Sequence, residues 1–198
     1  MPEPKKRDDI LEAAGHCFAH YGFAKTTMDD IGKMVGLNKA SLYYYYKNKE
    51  AIFCEIIRQE RKKFLDSLKK KVDEIIPWHE KIQTYILERQ RDFQKMVNLH
   101  KLSIKTSKQL QFQPLFLDLL KEFNVQETQI ICDILDQAMQ DNQIQRIDTL
   151  RTAGIILCVA NGIKQQQMLL QNENLTLARF DFQKVEDDTR VAIFLMLN

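Results

Sequence analysis

Thr26 to Lys49 reads TTMDDIGKMVGLNKASLYYYYKNK, and this stretch decides the fold. Thr27 is a good helix N-cap, with Asp30 three residues on as the second half of an approximate capping box. Asp29 and Asp30 suit the positive end of a helix dipole. Ile31, Met34 and Val35 are expected to point into a core, and Gly36 ends this short helix. After Gly36 and Leu37, Asn38 caps the next helix. There Leu42 is expected to lock the helix onto its neighbours, leaving Lys39, Ser41, Tyr43 and Tyr44 outside. Four consecutive tyrosines cover every side of a helix, so they cannot all be core; Tyr46 is the one expected to face inward. Gly32 stands where a close helix crossing would need a small side chain.

Two short helices joined by so tight a turn form a helix-turn-helix. Its second helix fits the major groove of DNA, about 12 Å wide. Ser41 suits a base edge or a phosphate, and Lys39 a guanine edge or a phosphate. Tyr43 offers its ring to a thymine methyl group, while Tyr44 and Tyr45 suit phosphates through their hydroxyls. Lys49 joins an ammonium to the backbone N–H groups that open the following helix, a good phosphate site, and Thr27 does the same one helix earlier.

Outward from this stretch, every segment is helical. A first helix from about Lys6 to Tyr21 carries Ile10, Leu11, Ala14, Phe18 and Tyr21 on one face, and Gly22 stops it. Asn48 caps a fourth, whose stripe from Ile52 through Phe64 and Leu68 to Ile75 ends at Pro77; it is roughly 40 Å long. Further helices are expected from Trp78 to about Leu102, Pro114 to about Asp141, Asp148 to about Leu170 and Phe182 to Leu197. A weaker segment covers Ser103 to Gln113, and a loop covers Asn172 to Phe180. No strand pattern appears. With only 6 glycines and 4 prolines in 198 residues, long uninterrupted helices are the natural outcome. The expected fold is all-α: residues 1–48 a helix-turn-helix DNA-binding domain, and residues 49–198 a larger helical domain.

Net charge is only +2, so the whole molecule is no polyelectrolyte binder. Its distribution matters more. Lys33, Lys39, Lys47 and Lys49 fall between Ile31 and Lys49 with no acid among them, and Lys5, Lys6 and Arg7 add a second basic group. Cys17, Cys54, Cys132 and Cys158 are widely spaced and read as small core residues. The N-terminus lacks an apolar signal core and no run approaches a membrane span, so a cytoplasmic protein without membrane contact is expected. The enzyme reading finds little: no metal-ligand set, P-loop, GxSxG or dinucleotide fingerprint, hence no cofactor. His16, His20, His79 and His100 are scattered and read as surface or N-terminal-head residues. A helical interaction protein that never meets DNA is the other alternative.

Thr26-Thr27, Ile31, Gly36-Leu37, Ser41-Leu42-Tyr43 and Lys47-Asn48-Lys49-Glu50 together resemble the DNA-binding domain of the TetR/AcrR family of bacterial transcriptional regulators, over roughly Ile10 to Phe53. The resemblance implies DNA contacts at Thr27, Met28, Lys39, Ser41, Tyr43, Tyr44, Tyr45 and Lys49. It also implies a repressor on a double-stranded DNA operator, a small-molecule effector, and a homodimer through the last two helices. This chain departs from the family at Tyr45, often His, and at Tyr46, usually Phe or Val, whose extra hydroxyl needs a buried partner or an exit to water.

The residues fit a dimer independently. Ala153, Gly154, Ala160 and Gly162 allow close packing of their helix, and the chain closes on VAIFLMLN, unusually apolar for an end. Burial of that end within its own core is the alternative. For an effector, Phe93, Met96, Phe112, Phe116, Leu119 and Phe123 could line an apolar pocket, although ordinary core fits the same spacing. No compact set of charged residues announces a charged ligand.

Overall fold

The computed structural model describes residues 4–74, 77–101, 106, 110, 113–170 and 181–197. Among them stand eight α-helices and no strand: α1 (Pro4–Tyr21), α2 (Met28–Val35), α3 (Lys39–Tyr45), α4 (Lys49–Asp73), α5 (Trp78–Leu99), α6 (Pro114–Gln140), α7 (Thr149–Leu169) and α8 (Phe182–Leu197). The fold is all-α, as the sequence led one to expect. α4 stops at Asp73, short of Pro77, and Ile75 lies outside the described residues. So do the loop expected from 172 to 180 and most of the weak segment from 103 to 113.

The caps are where the sequence places them. Thr27 Oγ1 accepts the Asp30 N–H at 3.2 Å while the Asp30 carboxylate accepts the Thr27 N–H at 2.9 Å, a complete capping box. Asn38 accepts from Ser41 N–H, Asn48 from Ala51 N–H and Asp148 from Arg151 N–H, opening α3, α4 and α7. Each bond satisfies a donor that a helix start otherwise leaves unpaired. Gly36 closes α2 with φ 69°, a left-handed conformation that costs a side-chain-bearing residue energy.

Gly32 is needed for a closer reason than a helix crossing. Leu37 N–H donates to Gly32 O at 2.8 Å, folding the turn back so tightly that a Cβ at position 32 would lie 2.9 Å from Leu37 O. Gly32→Ala should therefore destabilise the chain by about 1–3 kcal/mol through overpacking. That outweighs the roughly 0.5–1 kcal/mol which alanine gains in a helix. Thermal unfolding of the variant measures the balance; an unchanged or raised Tm would mean the turn relaxes freely.

By packing, the described residues divide into two units. One holds those of Met1–Lys63 and Lys95–Leu119; the other holds those of Phe64–Gln94, Leu120–Asn172 and Phe180–Asn198. α4, α5 and α6 each contribute to both, so the packing division does not follow the 48/49 boundary drawn by role.

In the first unit, Ile10, Phe18, Ile31, Leu42, Ile52 and Phe53 have no exposed surface. Its centre is aromatic. Phe53 meets Phe23 at 4.7 Å, His100 at 5.1 Å, Phe18 at 5.4 Å and Phe116 at 6.0 Å between ring centroids. The second unit has an aliphatic core built from Val72, Ile82, Ile86, Ile131, Leu135, Ile156 and Ile193 around Tyr85. No described helix is long and apolar enough to cross a membrane.

Three expectations fail here. Met34 is 51% exposed and Val35 only half-buried, because Met28, Ile31 and Gly32 form the buried stripe of α2 and turn position 34 outward. His100 is no surface residue: it is 1% exposed, edge-on to Phe18 and Phe53, with Nε2 3.4 Å from the Glu60 carboxylate. Cys158 is exposed rather than core, on the same face of α7 as Ile155 and Gly162. The other three cysteines are buried. Burial pushes the Cys54 thiol up to about 11 and raises Cys17 and Cys132 as well, which suppresses the reactive thiolate.

Candidate nucleic-acid interface

The helix-turn-helix is α2, the turn at Gly36-Leu37 and α3. α2 packs on both α1 and α3. Leu42 is wholly buried and fixes α3 by its inner face. That sets the register of the remaining side chains: Lys39 and Tyr43 are exposed, Tyr44 is 67% exposed, and Ser41 and Tyr45 are half-buried at the sides. The Tyr44 and Tyr45 rings meet edge-on at 5.4 Å, which holds both hydroxyls at the end of α3. Lys39 Nζ lies 3.6 Å from the Asp29 carboxylate, an exposed pair of little net worth that a phosphate could replace.

Thr27 is exposed at the start of α2, and its side chain is engaged in the capping box. The Asp30 hydrogen bonds with Thr27 hold that carboxyl below its ordinary range, so the box carries a full negative charge at neutral pH. Met28 is 8% exposed, so its side chain belongs to the core and only its backbone faces outward at the helix start.

Lys49 is placed differently from an outward phosphate ligand. Its ammonium donates to Phe23 O at 2.9 Å, Ala24 O at 3.3 Å and Thr26 O at 2.9 Å, and lies 4.7 Å from the Phe23 ring centroid. The second basic group is also drawn inward: Lys6 Nζ donates to Val35 O at the end of α2, and the Arg7 guanidinium covers the Tyr46 ring at 4.9 Å. A small cleft of about 230 Å³ lies beside Lys49, lined by Phe23, Ala24, Glu50, Thr106, Leu110 and Gln113. None of the five described residues of the expected effector set lines it.

Tyr46 is the inward tyrosine, 5% exposed at the C-cap of α3. Among the described residues no hydrogen-bond partner meets its hydroxyl. Burial pushes its phenol pKa up, with Arg7 pulling the other way. A buried hydroxyl left unpaired costs about 1–3 kcal/mol, so Tyr46→Phe should leave stability unchanged or raise it by about 1 kcal/mol. Denaturant unfolding decides; a clear loss would show that Arg7 bonds the hydroxyl after all.

The sequence reading gave Thr26 no structural role, yet it is 1% exposed and its hydroxyl donates towards Cys17 O and Gly22 O. Its only sequence signal is its place beside the capping Thr27. Of the expected effector residues, Phe93 and Phe123 fall in the second unit and Met96, Phe116 and Leu119 in the first; Phe112 lies outside the described residues. Leu119 is 1% exposed and belongs to the core there, and the half-buried Phe116 packs on Phe53. Phe93 lies 6.3 Å from Phe182 with the Lys164 ammonium 4.4 Å above its ring.

The second unit also assembles a compact polar group. The Arg89 guanidinium donates to the Glu127 carboxylate and to Asn161 Oδ1, and both charged side chains are nearly buried at 12% and 6% exposed. Positions 89, 127 and 161 lie on three helices, so no local pattern announces them. No cluster able to hold a metal ion occurs among the described residues.

Residues 10–56 match the model of the bacterial regulatory proteins of the tetR family. The HTH-type transcriptional regulator YhgD of Bacillus subtilis is 38% identical over 77 residues, which cover 37% of this chain and 38% of that protein. IcaR of Staphylococcus epidermidis, the negative regulator of the icaADBC biofilm operon, is 40% identical over 68 residues, covering 34% and 37%. The chain thus aligns with little more than a third of either relative. A transcriptional regulator from Cytophaga hutchinsonii is similar over the whole length: TM-score 0.78 and 26% identity, covering 95% of this chain and 94% of that one. By the sequence of residues 10–56 and by its all-helical fold, the chain is similar to transcriptional regulators of the TetR family.

Proposed function

We propose that the protein is a sequence-specific repressor that binds a palindromic operator as a homodimer and is released by a small, largely apolar ligand. Residues 1–48 read DNA, and residues 49–198 bind the effector and dimerise. The observation that carries the reading is α3 itself: Leu42 seats one side of it, and Lys39, Ser41, Tyr43, Tyr44 and Tyr45 are left on the others. Lys39, Ser41 and Tyr43 meet bases, while Tyr44 and Tyr45 meet phosphates. Thr27 and Met28 at the start of α2 meet phosphates, Met28 through its backbone N–H, and Lys49 offers the N–H that opens α4. In a dimer, two such helices lie about 34–36 Å apart in successive major grooves.

The dimer face proposed is that of α7 and α8. Ile155 is 48% exposed, and Val191, Phe194 and Leu195 are 60–72% exposed. Gly154 and Gly162 have open space where a Cβ would stand. An apolar face of this kind is seldom left in water. Val191→Glu combined with Leu195→Glu should turn a dimer into a monomer in light scattering and sharply weaken operator binding. An unchanged mass would move the interface elsewhere.

Retention of genomic DNA fragments by the purified protein tests the function. Binding should weaken steeply with salt, and a single family of fragments should survive competition. A protein that retained no fragment at low salt would end the reading. Ligand and operator should antagonise each other equally in both directions; an inducer that left operator affinity unchanged would end the switch.

A further inference from the structure

We propose that the Lys49 ammonium is a positioning group for DNA reading: it fixes the α1–α2 turn, and with it the start of α2, instead of contacting a phosphate. The proposal rests on the helix-turn-helix being the DNA-reading element. An ammonium has three N–H donors, and Lys49 directs its own at three carbonyls, Phe23 O, Ala24 O and Thr26 O, all on one turn. Three carbonyl dipoles converging on a point repel one another unless a cation stands between them. The Phe23 ring beneath adds a cation–π contact and is itself 4% exposed, seated on Phe18 and Phe53.

The turn is clasped from its other side too. Phe23 N–H donates to His100 O, Thr26 N–H to Gly22 O, and the Thr26 hydroxyl turns toward the end of α1. Thr26 is therefore held by its hydroxyl on one side and by its carbonyl, through Lys49, on the other. The next residue is Thr27, the N-cap that sets the direction of α2. Lys49 is also the first residue of α4. One side chain thus ties the start of α4 to the start of the helix-turn-helix, and a displacement of α4 at that end pulls on Thr26.

A phosphate ligand and a positioning group predict opposite results. Lys49→Met, with folding checked by circular dichroism, should lower operator affinity roughly tenfold or more, the scale of a lost charge-assisted hydrogen bond. Binding to non-operator DNA should stay near wild type, and the slope of log affinity against log salt should not change. Lys49→Arg should also lose operator affinity, because a planar guanidinium fork cannot meet three carbonyls around one nitrogen. A phosphate ligand would instead keep wild-type affinity as Arg. As Met it would weaken operator and non-operator DNA alike, with the salt slope falling by about 0.9.

Either of those phosphate-ligand outcomes, or wild-type operator affinity in Lys49→Met, overturns the proposal. If Lys49→Met fails to fold, the Lys49→Arg arm decides alone. If wild-type protein binds no DNA, it is the DNA-binding reading that fails, and retained fragments with unaltered discrimination in the variants would fail this one.

Discussion

Replacing Phe53 by Ala should destabilise the full chain by about 3–5 kcal/mol, the range for emptying a buried aromatic site. Phe53 is wholly buried, and four rings meet it, those of Phe18, Phe23, His100 and Phe116; the Lys49 ammonium stands over Phe23. It stands on the first turns of α4, between the end of α1 and the α1–α2 turn, so its loss frees the elements that aim the helix-turn-helix. The measurement is denaturant unfolding with DNA retention in parallel. Phe53→Leu, which keeps most of the volume, should lose far less. If Phe53→Ala unfolded like wild type, the aromatic cluster would not be what holds this unit.

Glu127→Ala should cost about 3–5 kcal/mol as well, for a different reason. It strips the nearly buried Arg89 guanidinium of its carboxylate and leaves Asn161 as its remaining partner. The double replacement Arg89→Met with Glu127→Met should be close to wild type or more stable, because burying two ions costs about as much as their attraction returns. With wild type and the single replacements Arg89→Met and Glu127→Met, the double gives four unfolding curves that form a double-mutant cycle. A double variant as unstable as Glu127→Ala would mean that shape, not charge, makes this site important.

The small head was legible because its signals are local. Thr27 with Asp30, Gly36, Asn38 and Asn48 each act within four residues of where they stand, and all cap the elements expected of them. The choice of Tyr46 as the inward tyrosine followed from periodicity and from the need to bury one face of α3. The misses follow the same rule from the other side. Met34 and Met28 exchanged roles because an eight-residue helix has room for one buried stripe, and which stripe depends on where α1 and α3 lie. Cys158 looked like a core thiol because cysteine usually is one; the exposed face of α7 overrode that habit.

Lys49 shows the limit most clearly. A lysine opening a helix beside a tyrosine-rich reading segment reads as a phosphate ligand. Nothing within the segment reveals three carbonyls more than twenty residues upstream. The effector set met the same limit: a stripe of phenylalanines has the same spacing whether it lines a pocket or fills a core, and the units divide those residues between them.

By itself, then, the sequence determined the helices, their caps and the helix-turn-helix, because hydrogen bonds at helix ends and the 3.6-residue repeat are properties of short stretches of chain. Only the tertiary structure decided what long-range packing decides. It paired Arg89 with Glu127 and Asn161, buried His100 among phenylalanines, and turned the Lys49 ammonium from the solvent onto the turn that aims α2. A charge or a dipole finds its partner in space, and no spacing along the chain records which one it will be.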